Sequence, residues 1–255
     1  KGIAKKFTDE GANLIMVDQN SKLLKKVSKN LSQDYFVADV SKSSNFKSLF
    51  NYVYKKYNKI DIIVNNAGVT HKPKFMETVT EKEFDKVFNV NDKSVYFCGK
   101  FFVPNMKKLK KGVILNVAST AGLSPRPKLN WYNASKGWMI TATKAMAIEL
   151  APYKVRVNAI APVAGITPLL KSFMGGNTPK KKQAFLSTIP ITRPGLPTTR
   201  LNGETSLVIT APDPIMEYSP IITPHTMVAF APILADFLTM FFYNFYYLSG
   251  EIQTL

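Results

Sequence analysis

Short apolar runs alternate with longer stretches in which apolar residues recur at helical spacing, over most of the first 190 residues. Residues 3–9, followed by Glu10-Gly11-Ala12, predict the end of a helix with a glycine stop. Asn13–Val17 predicts a short strand, with Asp18 at its end. A helix over Lys22–Leu31 and a strand over Tyr35-Phe-Val-Ala38 lead to Asp39-Val40. Phe46, Leu49, Phe50 and Val53 share one side of a helix that runs to Tyr57, and Ile60–Val64 predicts a buried strand opening into Asn65-Asn-Ala-Gly68. One long, bent helical region over Glu81–Met106, a strand over Val113–Val117, a helix over Tyr132–Leu150 and a strand over Val155–Ala159 continue the alternation. Such a pattern predicts an α/β fold.

Chemistry gathers where the Val113–Val117 strand ends in small hydroxyl residues and Gly122. A strand end opening into a loop is where α/β sheets place reacting groups. Tyr132 and Lys136 are four apart, so one helical turn sets both on the same face. An isolated tyrosine has a pKa of roughly 10, too high for ready proton exchange at neutral pH. A nearby ammonium favours the phenolate, and a serine hydroxyl beside the phenol holds a substrate oxygen while the proton moves. A bare Tyr-x-x-x-Lys pair equally decorates a surface helix, so its company decides the reading.

That company is specific. Ile114-Leu-Asn-Val-Ala-Ser-Thr-Ala-Gly122 and Trp131-Tyr-Asn-Ala-Ser-Lys136 set Ser119 thirteen positions before Tyr132, which resembles the active site of the short-chain dehydrogenases/reductases. Asn65-Asn-Ala-Gly68 resembles that family's sheet-stabilising motif, and Asn91, in Phe88-Asn-Val-Asn91, matches its fourth catalytic position. The similarity runs from Lys1 to about Pro190 and is closest to the 3-oxoacyl-carrier-protein reductase and glucose-dehydrogenase-like branch.

The resemblance implies a Rossmann-like, doubly wound parallel sheet with helices on both faces. It implies an NAD(P)-dependent oxidoreductase that interconverts a secondary alcohol and a ketone. Tyr132 is then the acid/base, Lys136 lowers its pKa and holds the ribose, Ser119 polarises the carbonyl, and Asn91 holds a water that relays protons to the lysine. Asp18 falls where an acidic residue bonds the adenosine ribose and repels a 2′-phosphate, pointing to NAD over NADP. Asp39-Val40 is expected beside the adenine ring. Asn65, Ala67 and Gly68 are expected to let the cofactor approach the backbone. Pro162 and Thr167 are expected at the nicotinamide carboxamide, in a segment where Val163 stands in place of the family's usual glycine. Leu169–Leu186 corresponds to the mobile segment that covers substrate. A homo-oligomer, dimer or tetramer, follows from the same likeness. The alternative is a catalytically silent relative or fragment kept for binding or assembly.

Two stretches depart from the family. Its glycine-rich loop, whose backbone amides cradle the pyrophosphate, would fall before Lys1, and Gly2 aligns with a helix position instead. The expectation is a sheet without its first strand, which would lie between the strand ending at Asp18 and the one ending at Asn65. From about Thr192 the likeness fails. Residues 1–191 read as the truncated catalytic domain, 192–232 as an irregular proline-rich insertion, and 233–255 as a divergent remnant of the last helix and strand.

Composition narrows the rest. With 45% apolar and 20% charged residues, 255 residues suit one α/β domain with a large core. The single cysteine, Cys98, sits in an apolar helical stretch and reads as a packed thiol in a reducing, cytoplasmic setting. Two histidines and no Cys/His cluster argue for no metal. The net charge of +17 comes from lysines scattered over different elements, without a nucleic-acid-binding motif, and reads as solvated surface. Met227–Leu248 is long and apolar, but Asp236 at its middle would cost roughly 2.5–3.5 kcal/mol in a bilayer. Pro232 interrupts the neighbourhood as well, so the reading is a buried or interface helix and not a membrane span.

Overall fold

The computed structural model describes residues 1–163, 168–176, 178–187 and 206–210. These fall into two units, one holding Lys1–Asp39 and the other beginning at Val40.

In the first unit, α1 (Gly2–Asp9) ends where Gly11 takes a φ of +79°, a conformation that favours glycine. The chain then enters β1 (Ile15–Asp18), crosses α2 (Ser21–Leu31) and returns as β2 (Asp34–Val37). Asn20 starts α2 by accepting a bond from the Leu23 amide at 3.0 Å. The two strands pair in parallel, Ile15 opposite Asp34 and Asp18 opposite Val37. The Gln33 side chain extends this pairing, accepting from the Leu14 amide at 2.7 Å and donating to the Ala12 carbonyl at 3.2 Å.

In the second unit the sheet order is β3 (Ile62–Asn65), β4 (Gly112–Val117), β5 (Val155–Pro162) and β6 (Ser206–Thr210). The first three strands run parallel, and β6 lies antiparallel along β5. The fold is Rossmann-like, with parallel strands flanked by helices. Among the described residues β1 pairs only with β2 and β3 only with β4.

β4 is the central element. Ile114 and Asn116 are fully buried, and both edges of the strand are paired. α3 (Ser43–Tyr57) packs on α5 (Lys93–Leu109) through aromatic rings, with Phe46 and Phe97 centred 5.6 Å apart and Phe50 and Phe102 5.7 Å apart. α6 (Asn130–Leu150) packs on β5, where Met139, Ile140, Ala118, Ala159 and Val95 form one core cluster.

Two differences from the sequence reading have local causes. The helical region over Glu81–Met106 is two helices, α4 (Glu81–Asn91) and α5, separated at Asp92. The break follows Asn91, whose side chain is tied to the backbone of Val69. Ser206–Thr210, inside the stretch expected to be irregular, forms β6; its Leu-Val-Ile core has strand propensity that the surrounding prolines obscured. The sheet is therefore not wholly parallel. The segment over Leu169–Leu186 supplies α7 (Pro168–Phe173) and α8 (Pro179–Ser187). Thr167, the stretch Met227–Leu248 and the remnant expected over 233–255 lie outside the described residues.

Candidate active site

At its carboxyl end β4 passes directly into Ser119, which is extended (φ −168°, ψ 151°) and whose hydroxyl accepts from the Ala121 amide at 3.1 Å. That bond caps a 3₁₀ turn over Thr120–Gly122. The turn lies so close to α6 that a Cβ on Gly122 would fall 2.6 Å from the Lys136 carbonyl carbon and 2.7 Å from the Gly137 nitrogen. Only glycine allows this approach, and it brings Ser119 onto the helix carrying Tyr132 and Lys136.

Tyr132 is 4% exposed and hydrogen-bonded to Ser119. Burial raises its pKa, while the Ser119 bond and the charge of Arg126 pull it back. This corrects the sequence reading, in which Lys136 lowers that pKa. The Lys136 ammonium lies 6.0 Å from the centre of the phenol ring and donates to the Val117 carbonyl at 2.7 Å. Burial brings Lys136 itself down to about 8, opposed by the charge of Asp92. Asp92 in turn is raised to about 7 by burial, opposed by Lys136, and its Oδ1 is buried without a hydrogen-bond partner.

Asn91 is fully buried beside this group. Its Oδ1 accepts from the Val69 amide at 2.8 Å, and its Nδ2 donates to the Val69 carbonyl at 3.0 Å and to Ser135 Oγ at 2.9 Å. Ser135 donates to the Tyr132 carbonyl at 2.8 Å. Both amide hydrogens are thus spent on bracing. Gly68 lies between Asn91 and Lys136, and a Cβ there would sit 3.6 Å from Asn91 Oδ1 and 3.6 Å from Lys136 Nζ.

Asn65 also braces. Its Nδ2 donates to Asn116 Oδ1 at 2.8 Å, Asn116 donates to Thr143 Oγ1 at 2.9 Å, and Thr143 donates to the Met139 carbonyl at 2.7 Å. This chain of bonds ties β3 and β4 to α6. Ala67 is exposed and Val40 half-buried. The Pro162 carbonyl lies 3.5 Å from the hydroxyls of both Ser119 and Thr120. In the other unit, Asp18 is exposed at the end of β1 and accepts from the Asn20 amide at 2.8 Å, and Asp39 follows β2 half-buried.

Arg126 was not singled out by sequence reasoning. It is 8% exposed, donates to the Val163 carbonyl at 3.2 Å and lies with its guanidinium carbon 4.6 Å from the centre of the Phe185 ring. Its signal was an arginine held between two prolines, Pro125 and Pro127, in a chain whose cations are mostly lysine. Phe173 of α7 was missed too, and its ring meets that of Tyr132 edge-on at 4.9 Å. Cys98 is buried, with its thiol pushed up to about 11 by burial, as a packed thiol should be. Among the described residues no group of three or more His, Cys, Asp or Glu could hold a metal, and no helix is long and apolar enough to cross a membrane.

A nicotinamide cofactor fits the residues present beside Lys136. The Lys136 ammonium, with one of its three hydrogens on Val117, stands beside the small Gly68. No glycine-rich turn between a strand and a helix is present among the described residues to receive a pyrophosphate.

Known proteins converge on one family. A family model described as short chain dehydrogenase matches residues 1–176. The 4-formylbenzenesulfonate dehydrogenase of Comamonas testosteroni is 38% identical over 197 residues, covering 75% of this chain and 78% of that protein. The 3-ketoacyl-(acyl-carrier-protein) reductase of Brucella melitensis, solved in complex with NADH, is 39% identical. It superposes with a TM-score of 0.66 over 76% of this chain and 85% of its own. A metagenomic short-chain oxidoreductase in complex with NADP is 28% identical, with a TM-score of 0.62 over 64% of this chain and 76% of its own. With the Ser119, Tyr132 and Lys136 cluster assembled at the end of β4, the chain belongs to the short-chain dehydrogenases, a family of NAD(P)-dependent oxidoreductases.

Proposed function

We propose that this protein interconverts a secondary alcohol and a ketone, with Tyr132 moving the proton. The observation that carries the reading is the convergence of Ser119, Tyr132 and Lys136 through the Gly122 contact. When bound, the nicotinamide supplies or accepts the hydride. Ser119 orients the substrate oxygen against the Tyr132 hydroxyl, which gives up its proton as the alcohol forms. Burial keeps that phenol protonated until a substrate oxygen takes the proton. Lys136 holds the nicotinamide ribose, and the Ser119 bond and the charge of Arg126 favour the phenolate left behind. Asn91 acts by position, fixing Val69 and, through Ser135, the backbone of Tyr132.

For the cofactor we infer NAD over NADP, because the exposed Asp18 carboxylate suits a ribose diol and repels a 2′-phosphate. Asp39 and Val40 serve the adenine, Asn65, Ala67 and Gly68 the approach of the cofactor to the sheet end, and Pro162 and Thr167 the carboxamide. A homo-oligomer in the cytoplasm completes the reading. It is supported by an apolar groove between α5 and α6 beside the exposed Tyr96 and Trp138, and by the single buried thiol.

The test is Tyr132→Phe, followed by NADH fluorescence for binding and by turnover of a ketone panel. Turnover should fall at least about 10²-fold while NADH binding persists. Activity within a few-fold of the parent moves the acid/base role elsewhere. NADH binding with no turnover in the parent favours the catalytically silent alternative.

A further inference from the structure

Arg126 brings a positive charge to the reacting tyrosine, and among the described residues no acid answers it. Its backbone is pinned, because Asn133 Nδ2 donates to its carbonyl at 2.8 Å. Among the described residues its guanidinium makes one hydrogen bond, to the Val163 carbonyl, and its one close charge neighbour is the Tyr132 phenol. A guanidinium carries five N–H donors in a planar fork that matches carboxylate, sulfonate and phosphate oxygens. A buried cation without a counter-charge is costly to keep, and one carbonyl and the face of the Phe185 ring offset only part of that cost. Aromatic rings from α7 and α8 line the same place, Phe173 on Tyr132 and Phe185 on Arg126.

We infer that Arg126 is the anion anchor of the substrate site, so that the substrate is an alcohol or ketone bearing a carboxylate or sulfonate. The carbonyl sits at Tyr132 and Ser119, and the anionic group takes the remaining N–H donors of Arg126. The Val163 bond aims the fork, and the two phenylalanines flank the organic part of the ligand. The reaction rests on the oxidoreductase reading above; the anion site does not, since it is defined by binding.

The test compares 4-acetylbenzoate with its neutral methyl ester on the whole protein, with NADH present. Affinities come from titration calorimetry, and reduction from NADH oxidation. The acid should bind at least tenfold more tightly than the ester, with the preference shrinking as salt is added. Arg126→Gln should abolish the preference. Arg126→Lys, which keeps the charge without the fork, should retain part of it. Equal affinity for acid and ester, a preference that survives in Arg126→Gln, or failure of both to bind overturns the inference. Should Arg126→Gln fail to fold, Arg126→Lys decides: an unchanged preference overturns the inference, and a reduced one supports it. Acid-selective binding without NADH oxidation keeps the anion site and removes the oxidoreductase reading. Oxidation without selectivity does the reverse.

Discussion

β1 and β4 are both short apolar strands of parallel sheets, each with a polar side chain at its carboxyl end. β1 is paired along one edge among the described residues, its first three positions are half-buried, and it delivers an exposed carboxylate at Asp18. β4 is paired along both edges and delivers a buried serine to a buried tyrosine and lysine. A strand held on both sides can carry groups that are costly to bury, because its neighbours fix them and supply their hydrogen bonds. A strand held on one side is suited to a group that works in water, such as a carboxylate recognising a diol. On the proposed reading, chemistry and recognition are divided between these two grades of local order.

The comparison breaks most sharply at glycine. Gly122→Ala forces a Cβ onto backbone atoms of α6, and overpacking of this kind costs about 1–3 kcal/mol or more. It also shifts Lys136, so both the denaturation midpoint and kcat should fall together. Gly11→Ala, in the other unit, meets nothing within 4 Å and pays only for its positive φ, roughly 1–2 kcal/mol. It should leave kcat unchanged. Equal losses of kcat in the two variants would erase the distinction.

A smaller effect concerns the buried pair behind the site. The folded pKa of Asp92 is raised to about 7, so the stability it contributes in its protonated form is present in acid and is lost as pH rises from the ordinary carboxylate range toward 7. The folded pKa of Lys136 is lowered to about 8, so its contribution is present at high pH and is lost as pH falls toward 8. Stability should therefore dip near pH 7–8, where both are charged. Asp92→Asn should flatten the acid side of that dip in thermal melts across pH. It should also move the titration of Lys136 below 8, since the carboxylate that supports its charge is gone. A melt profile unchanged by the substitution would show that Asp92 titrates normally. The smallest effect is expected at the end of β1: Asp18→Ala should narrow the preference for NAD over NADP, read as the ratio of kcat/KM values, with little change in stability.

Much of this was legible in the sequence, for reasons that differ by residue. Strand and helix positions followed from apolar periodicity, and β1, α2, α3, β4 and α6 fall within a residue or three of expectation. The Ser119, Tyr132 and Lys136 cluster was legible because the family spacing fixes it. The work of Asn91 was not, since a side chain's identity does not reveal which backbone it clamps. The break at Asp92 depends on one residue's backbone torsions within an otherwise helical pattern. Arg126 was hidden by the lysine-rich background, and its importance comes from burial, which a loop sequence does not announce. The source of the Tyr132 shift was misread for a geometric reason: four residues' spacing puts two side chains on one face, but Lys136 turns its ammonium to the Val117 carbonyl.

The asparagine near the carboxyl end of β4 also bears on how the sheet assembles. Asn116 is fully buried, lies opposite Asn65 in the β3–β4 register, and satisfies its amide only through Asn65 and Thr143. If β4 slid by one residue, its side chains would exchange faces, and both amides would lose partners in apolar surroundings, at about 1–3 kcal/mol for each buried group. Leucine or valine at position 116 would pack in either alignment. The amide therefore acts as a proofreading device during folding, rejecting misaligned sheets before α6 closes over them.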